Sequence, residues 1–307
     1  MTTWLVTGGA GFIGSHLCEA LLARGDAVRV LDDLSTGRRE NLPPDIALIE
    51  GDVADPAAVR DALRGVGGCF HLAAIASVER GVTDWLRTHR ANLTGTITVL
   101  DAVRPTRIPV VYASSAAVYG DAATIPIAEA VECRPLSAYG ADKFGCELHA
   151  RVAAHVHGIP TVGLRFFNVY GPRQDPRSPY SGVIPIFCER IRRGAPINIL
   201  GDGGQTRDFI YITDVVTALL AAMRLAPAEA PVFNVCTGIA TSVLDLARSI
   251  AEHAGTRLDA RHGPPRAGEV RFSTGSPALS RKILGLPEPV SLRDGLGKVL
   301  DWRGGPG

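Results

Sequence analysis

Tyr139 and Lys143 stand four residues apart in "SAYGADK" (137–143), so on a helix their side chains share one face. Lysine is scarce in this chain, with only Lys143, Lys282 and Lys298 against 29 arginines. A free phenol, with a pKa of about 10, is a poor base near neutrality. A nearby ammonium favours the phenolate. The pair therefore reads as a proton acceptor with its electrostatic support. A second candidate lies in "YASSAAVYG" (112–120), where an apolar run ends in two serines. Ser115 can donate a hydrogen bond to a hydroxyl or ketone and relay its proton toward Tyr139. No His/Asp arrangement accompanies it and GxSxG is absent, which disfavours a hydrolytic nucleophile.

The other chemistry-bearing stretch is "TWLVTGGAGFIGSHL" (3–17), in which a short apolar run meets Gly8, Gly9, Gly11 and Gly14 before apolar residues recur at helical spacing (Ile13, Leu17, Leu21). A helix N-terminus offers unpaired N–H groups to an anion, and glycines let the backbone approach a diphosphate. Asp32 follows 18 residues after Gly14, at the end of the second apolar run. An acid there accepts hydrogen bonds from ribose hydroxyls and repels a 2′-phosphate, which favours NAD over NADP. Arg38 and Arg39 lie close by. In "GDV" (51–53), Asp52 and Val53 are placed to hold an adenine edge and face.

The elements that must position these groups are legible in outline. Strand-like runs at 3–7, 27–32, 46–50, 69–73, 109–114 and 161–167 alternate with helical patterns at 12–24, 56–64, 84–103 and about 138–157. Such alternation, with continuously apolar strands, predicts an α/β fold with a doubly wound parallel sheet. After Asn168 the texture changes. "YGPRQDPRSPYSG" (170–182), "LGDGGQTRD" (200–208) and "RHGPPRAGEV" (261–270) read as long ordered loops, while 209–236 returns to strand and helix. Residues 1–168 and 209–237 are thus expected to form the dinucleotide-binding domain. Residues 169–208 and 238–307 are expected to form a smaller α/β substrate-binding lobe.

Composition narrows the partners. The net charge of +1 and the absence of a basic stripe argue against a nucleic-acid surface. The six cysteines (18, 69, 133, 146, 188 and 236) show no CxxC spacing, so buried reduced thiols are expected rather than disulfides or a metal site. With no signal peptide and no apolar run long enough to span a bilayer, neither membrane association nor export is expected, and the expected location is the cytoplasm.

Taken in order, TGGAGFIGSHL, LDDLSTG, GDV, HLAA, SSAAVYG, YGADK, RFFNVYGPRQDP and GQTRDFIYITDV resemble the extended short-chain dehydrogenase/reductases of the NAD-dependent sugar-nucleotide epimerase/dehydratase kind. The resemblance covers nearly the whole chain. It implies a Rossmann sheet and a catalytic trio of Ser115, Tyr139 and Lys143, with Tyr139 and Lys143 also touching the cofactor. It implies NAD held by Gly8, Gly11, Phe12 and Ile13, by the loop Asp32, Asp33, Leu34, Ser35, Thr36 and Gly37, and by Asp52 and Val53. Leu72, Ala73, Ala74 and Ala76 would line the cofactor, and Asn92 would support their loop. Ser115, Asn168, Val183, Arg207, Arg266 and Glu269 would meet the sugar nucleotide, arginine supplying a planar fork for phosphate oxygens.

Three positions narrow the reaction within that family. Related 4,6-dehydratases carry Asp-Glu after the catalytic Ser/Thr and decarboxylases carry Glu, where this chain has Ala116 and Ala117. Uronate epimerases often place Thr where Asn168 stands. Ser273 replaces a bulky tyrosine that would close the sugar pocket to an N-acetyl group. The resemblance therefore implies a UDP-sugar 4-epimerase acting on UDP-GlcNAc/UDP-GalNAc and UDP-Glc/UDP-Gal through a transient 4-keto sugar. A UDP-glucuronate epimerase or another oxidoreductase or decarboxylase on this scaffold is the alternative. Relatives pair as homodimers through helices matching 84–103 and 138–157, where Trp85, Leu86 and Leu148 are candidates for the contact.

Overall fold

The structure is a computed structural model that describes residues 2–76, 78–176, 182–225, 229–265 and 270–302. β1 (Thr3–Thr7) passes through the glycine turn into α1 (Phe12–Ala23), followed by β2 (Ala27–Asp32), β3 (Ala47–Glu50), α2 (Pro56–Ala62) and β4 (Gly68–His71). Next come α3 (Val78–Thr83), α4 (Trp85–His89), a π-turn over Arg90–Thr94 and α5 (Gly95–Ala102). β5 (Val110–Ser115) leads through a 3-10 turn, Ala116–Tyr119, to α6 (Ala138–His157) and β6 (Thr161–Phe166). Then follow β7 (Asn168–Tyr170), α7 (Val183–Arg192), β8 (Ile197–Leu200), β9 (Thr206–Arg207), β10 (Phe209–Tyr211) and α8 (Ile212–Leu225). β11 (Val232–Val235), β12 (Thr241–Ser242), α9 (Val243–His253), β13 (Ala260–Gly263), β14 (Phe272–Ser273), α10 (Ala278–Leu284) and α11 (Leu292–Asp301) complete the order.

Among the described residues, seven strands form one parallel sheet in the order β11-β6-β5-β4-β1-β2-β3. Successive side chains on a strand face opposite sides, and both sides here are covered. Val6, Val30, Phe70 and Val111 join α1 and α8 in one core, while their neighbours Leu5, Leu31, Cys69 and Val110 join α2, α5 and α6 in another. Burial on both faces explains why the strands read as unbroken apolar runs. The strand order reverses between β1 and β4, the place where open α/β sheets bind ligands beyond their strand ends.

The smaller elements pair locally. β12-β9-β14 form a three-stranded sheet, β8 pairs with β13, and β7 pairs with β10. α7 buries Ile184, Phe187, Cys188 and Ile191 against α9, which buries Val243, Leu246, Ala247, Ile250 and Ala251. Three sequence expectations are revised. The stretch 200–208 is not loop throughout, because Thr206 and Arg207 form β9 between β12 and β14. The stretch 261–270 is not loop throughout, because β13 reaches Gly263 by pairing with β8, whose Ile197 and Ile199 are fully buried. The helix expected over 84–103 is interrupted by the π-turn that holds Asn92. All six cysteines carry free thiols, with Cys133 half-buried and the rest buried. Among the described residues no helix is long and apolar enough to cross a membrane.

Candidate active site

The glycine turn is built by close approach. Gly8 has φ +69°, and a Cβ there would lie 2.7 Å from the backbone of Ala73. A Cβ on Gly14 would lie 2.2 Å from the Gly8 carbonyl oxygen. α1 begins with Gly11 as its cap residue, with no side-chain cap and no acid in its first turn. Its leading N–H groups are therefore left for an anion.

Around this turn lies a cavity of about 780 Å³, within the size range of cofactor sites. Gly8, Gly11, Phe12, Ile13, Asp32, Asp33, Ser35, Thr36, Asp52, Val53, Leu72, Ala73, Ala74 and Ala76 all line it. Asp32 is buried, and its two oxygens accept the N–H groups of Ala10 and Leu34, each at 2.9 Å. Burial raises its carboxyl above the usual carboxylate range, while these two donors pull the other way. Leu34 and Gly37 shape the loop without lining the cavity. Leu34 takes φ 54°, and a Cβ on Gly37 would meet Ala10 and Asp32 Oδ1 at 2.9 Å. Asn92 also works from behind, its side-chain amide accepting the Ile75 N–H at 2.8 Å and donating to the Ile75 carbonyl at 3.3 Å.

The proton-transfer candidates sit on two elements that pack together, the end of β5 and the start of α6. Ser115 is its last residue, and Ser115 Oγ accepts the Ala117 N–H at 3.2 Å, turning the chain into the 3-10 turn. Ser137 caps α6 by accepting the Gly140 N–H at 3.0 Å, which places Tyr139 in the first turn of the helix. Gly140 lets the Ala117 carbonyl press against the helix, since a Cβ there would sit 2.6 Å from that oxygen. Lys143 is buried, donates from Nζ to the Ala113 carbonyl at 2.9 Å, and lies 6.0 Å from the centroid of the Tyr139 ring. None of the three is among the lining residues of the cavity, but Ala113 on the same strand is.

Sequence reasoning missed the support beneath them. Glu147, one further turn along α6 from Lys143, accepts Arg165 Nε at 2.8 Å and Nη2 at 2.7 Å. It also accepts Ser114 Oγ at 2.5 Å. Arg165 Nη1 donates to Tyr119 Oη at 2.7 Å, and Tyr119 donates to Asn234 Oδ1 at 2.7 Å. The available signal was an arginine inside the apolar run "TVGLRFF" (161–167), since a charge in a fully buried strand requires a partner.

Of the sugar-nucleotide candidates, Arg207 and Ser273 are register partners on adjacent strands β9 and β14. Asn168 opens β7 and donates its N–H to the carbonyl of Asp208, next to Arg207. Val183 is the first residue of α7, whose cap residue Gly182 lines the cavity. Arg266 and Glu269 lie outside the described residues. A loop unforeseen as a cavity wall also crosses here. Arg38 pairs with Asp175 at 2.5 Å, His16 Nε2 donates to the Pro172 carbonyl at 3.1 Å, and Arg173 donates to Ser15 Oγ at 3.1 Å and pairs with Glu19.

A turn with N–H donors left for an anion, a buried acid at the β2 end and a cavity lined by both fit a dinucleotide. Comparison with known proteins agrees. The model of the NAD dependent epimerase/dehydratase family matches residues 4–236. A putative UDP-glucose 4-epimerase from Methanocaldococcus jannaschii is 36% identical over 301 residues, covering 97% of each chain. The crystal structure of UDP-glucose 4-epimerase from Thermotoga maritima with UDP-glucose has a TM-score of 0.93 and 36% identity, covering 97% of each chain. UDP-N-acetylglucosamine 4-epimerase from Methanobrevibacter ruminantium, in complex with UDP-N-acetylmuramic acid, has a TM-score of 0.93 and 33% identity, covering 98% of this chain and 97% of the other. A fold, a cavity and relatives that agree along nearly the full length lead to one assignment: the chain belongs to the NAD dependent epimerase/dehydratase family, and NAD is its cofactor.

Proposed function

We propose that the protein is a UDP-sugar 4-epimerase acting on UDP-GlcNAc/UDP-GalNAc and UDP-Glc/UDP-Gal. What supports this reading is the packing of α6, which carries Tyr139 and Lys143, against the end of β5, which carries Ser115, with Ala116 and Ala117 following in place of acids. Tyr139 accepts the proton of the sugar C4 hydroxyl, and Ser115 hydrogen-bonds the same oxygen. In this reading the Lys143 ammonium, on the same helix face, favours negative charge on the phenol oxygen. NAD, when bound, supplies hydride acceptance and return at C4, by way of a 4-keto sugar. Arg207 and the N-terminus of α7 at Val183 hold the diphosphate, with Asn168, Arg266 and Glu269 completing the nucleotide site in this reading. Ser273, beside Arg207, leaves space for an N-acetyl group. The two-lobed division expected from the sequence belongs to the same reading, as does a cytoplasmic location.

A homodimer is part of the proposal. Trp85 and Leu86 on α4 are 64% and 84% exposed, and Leu148, Val152 and Val156 on α6 are also exposed. α4 packs against α6, so these side chains can form a shared apolar surface for a second copy.

The test is to incubate the purified protein with UDP-GlcNAc, UDP-glucose and UDP-glucuronate in turn, without added NAD, and to follow the anomeric protons by NMR. Formation of the C4 epimer, reaching one ratio from either direction, is the expected result. Turnover of the uronate alone would move the protein to the alternative substrate. Loss of CO2 or a 6-deoxy-4-keto product would overturn the epimerase reading.

A further inference from the structure

We propose that His71 is a positioning residue for the cofactor-facing loop Leu72–Ala76, locked as the Nε2–H tautomer in a closed ring of hydrogen bonds. His71 ends β4 and is buried. Its Nε2 lies 3.0 Å from Thr96 Oγ1, and its Nδ1 lies 2.8 Å from Thr7 Oγ1. The tautomer follows from counting protons. A threonine hydroxyl carries one proton. Thr96 spends its proton on the Asn92 carbonyl at 2.7 Å, an atom that can only accept. Thr96 must therefore accept from His71, so the ring proton sits on Nε2. Nδ1 is then a lone pair and accepts the Thr7 hydroxyl. Cys146 Sγ lies 3.1 Å from Thr96 Oγ1 and donates to the same Asn92 carbonyl at 3.6 Å.

The ring closes on the cofactor loop. Thr7 Oγ1 accepts the Ala73 N–H at 3.2 Å, and the Asn92 side chain grips both the N–H and the carbonyl of Ile75. One end of the loop is thus tied to His71 through Thr7. The other end is tied to it through Asn92 and Thr96. Leu72, Ala73, Ala74, Ile75 and Ala76 all line the cavity. The facing groups keep the imidazole neutral. Thr7 of β1 and Thr96 of α5 are uncharged, and α6 contributes the Cys146 thiol and the Lys143 ammonium. Burial, with the like charge of Lys143 second, brings the imidazole down to about 3. A buried chain of hydrogen bonds that polarise one another favours one geometry, and it holds the loop that lines the cavity.

The inference rests on the cavity holding NAD, and its test separates the two claims. The wild-type protein, carrying 15N-labelled histidine, is measured by long-range 1H–15N correlation. His71 is assigned through the signal that moves in Thr96→Val. The expected pattern is a pyridine-type Nδ1 and a protonated pyrrole-type Nε2, unchanged between about pH 5 and 8. An Nδ1–H tautomer, or a His71 that titrates in that range, would overturn the ring. The second measurement is NAD affinity. His71→Phe, or Thr96→Val where that variant does not fold, is expected to bind NAD roughly tenfold to a hundredfold more weakly, the scale of one or two lost hydrogen bonds. Unchanged affinity would overturn the positioning role. A wild-type protein that binds no NAD would instead remove the cofactor assignment, and the 15N pattern would still decide the ring.

Discussion

Gly140→Ala adds a single methyl group between the helix that carries Tyr139 and the turn that follows Ser115. The new Cβ would lie 2.6 Å from the Ala117 carbonyl oxygen and 3.2 Å from Pro135 Cβ. An ordinary contact begins at 3.4 Å, and the nearest atom is backbone, which has no rotamer to swing away. The first turn of α6 and the 3-10 turn must therefore part by about 0.8 Å. A displacement near 1 Å at reacting groups costs on the order of a hundredfold in rate, so kcat is expected to fall by about that factor. KM for the UDP-sugar should stay close to wild type, because the proposed diphosphate contacts belong to β9 and α7. The overlap costs about 1–3 kcal/mol of stability, and the helix preference of alanine over glycine, about 1 kcal/mol, offsets part of it, so the protein should remain folded at the assay temperature. The assay is initial-rate epimerisation by NMR, paired with a thermal melt. Gly145→Ala on the same helix is the control. Its Cβ would come nearest to the ends of the Leu93 side chain, at 3.1 Å, and these can rotate aside. A kcat for Gly140→Ala within about threefold of wild type would refute the idea that this contact sets the spacing of Ser115 and Tyr139.

Tyr139→Phe removes the proposed base while keeping the ring. Turnover should vanish and UDP affinity, read by calorimetry, should hold; retained turnover would remove Tyr139 from the mechanism. Glu147→Ala leaves Arg165 buried without its carboxylate, so urea unfolding should show a loss of about 3–5 kcal/mol. Glu147→Leu combined with Arg165→Met should recover much of that loss, and a double variant no better than the single would argue against an uncompensated charge as the cause. Burial lifts the Cys18 and Cys188 thiols to about 12 and pushes Cys69, Cys146 and Cys236 upward as well. A thiol reagent near pH 8 should thus modify half-buried Cys133 first and the other five only on unfolding. Because a raised thiol favours the protonated fold, stability should decline as pH rises past the unfolded thiol value of about 8.5, which a pH series of melts would check.

The parts of the site that were legible in the sequence are those set by neighbours in the chain. Gly8, Gly11 and Gly14 announce a strand-to-helix turn because the turn is one continuous segment, and β2 delivers Asp32 to it through a single strand pairing. Tyr139 and Lys143 are legible for the same reason, as one helix fixes their relation. The π-turn at Asn92 was not legible, because residues 84–103 carry an ordinary helical pattern and the break serves a loop 17 residues away. β13 was not legible either, since "RHG" (261–263) has the texture of a loop and becomes strand only by lying against β8. The Glu147–Arg165 pair and the Arg38–Asp175 bridge join residues 18 and 137 positions apart. No local pattern pairs one arginine among 29 with one particular acid.

The sheet order also bears on the making of the protein. β6 is buried along its whole length, and the edge it turns away from β5 is covered by β11. That cover begins at Val232, 66 residues after β6 ends at Phe166. At synthesis rates of about 5–20 residues per second, the ribosome needs roughly 3–13 s to supply it. During that interval an apolar strand presents a bare row of backbone donors and acceptors, the kind of edge along which chains join one another. The growing chain therefore passes through a sticky stage that the finished fold no longer shows. A version truncated before residue 232 should precipitate where the full chain stays dispersed, and equal solubility would mean that another segment shields β6 in the meantime.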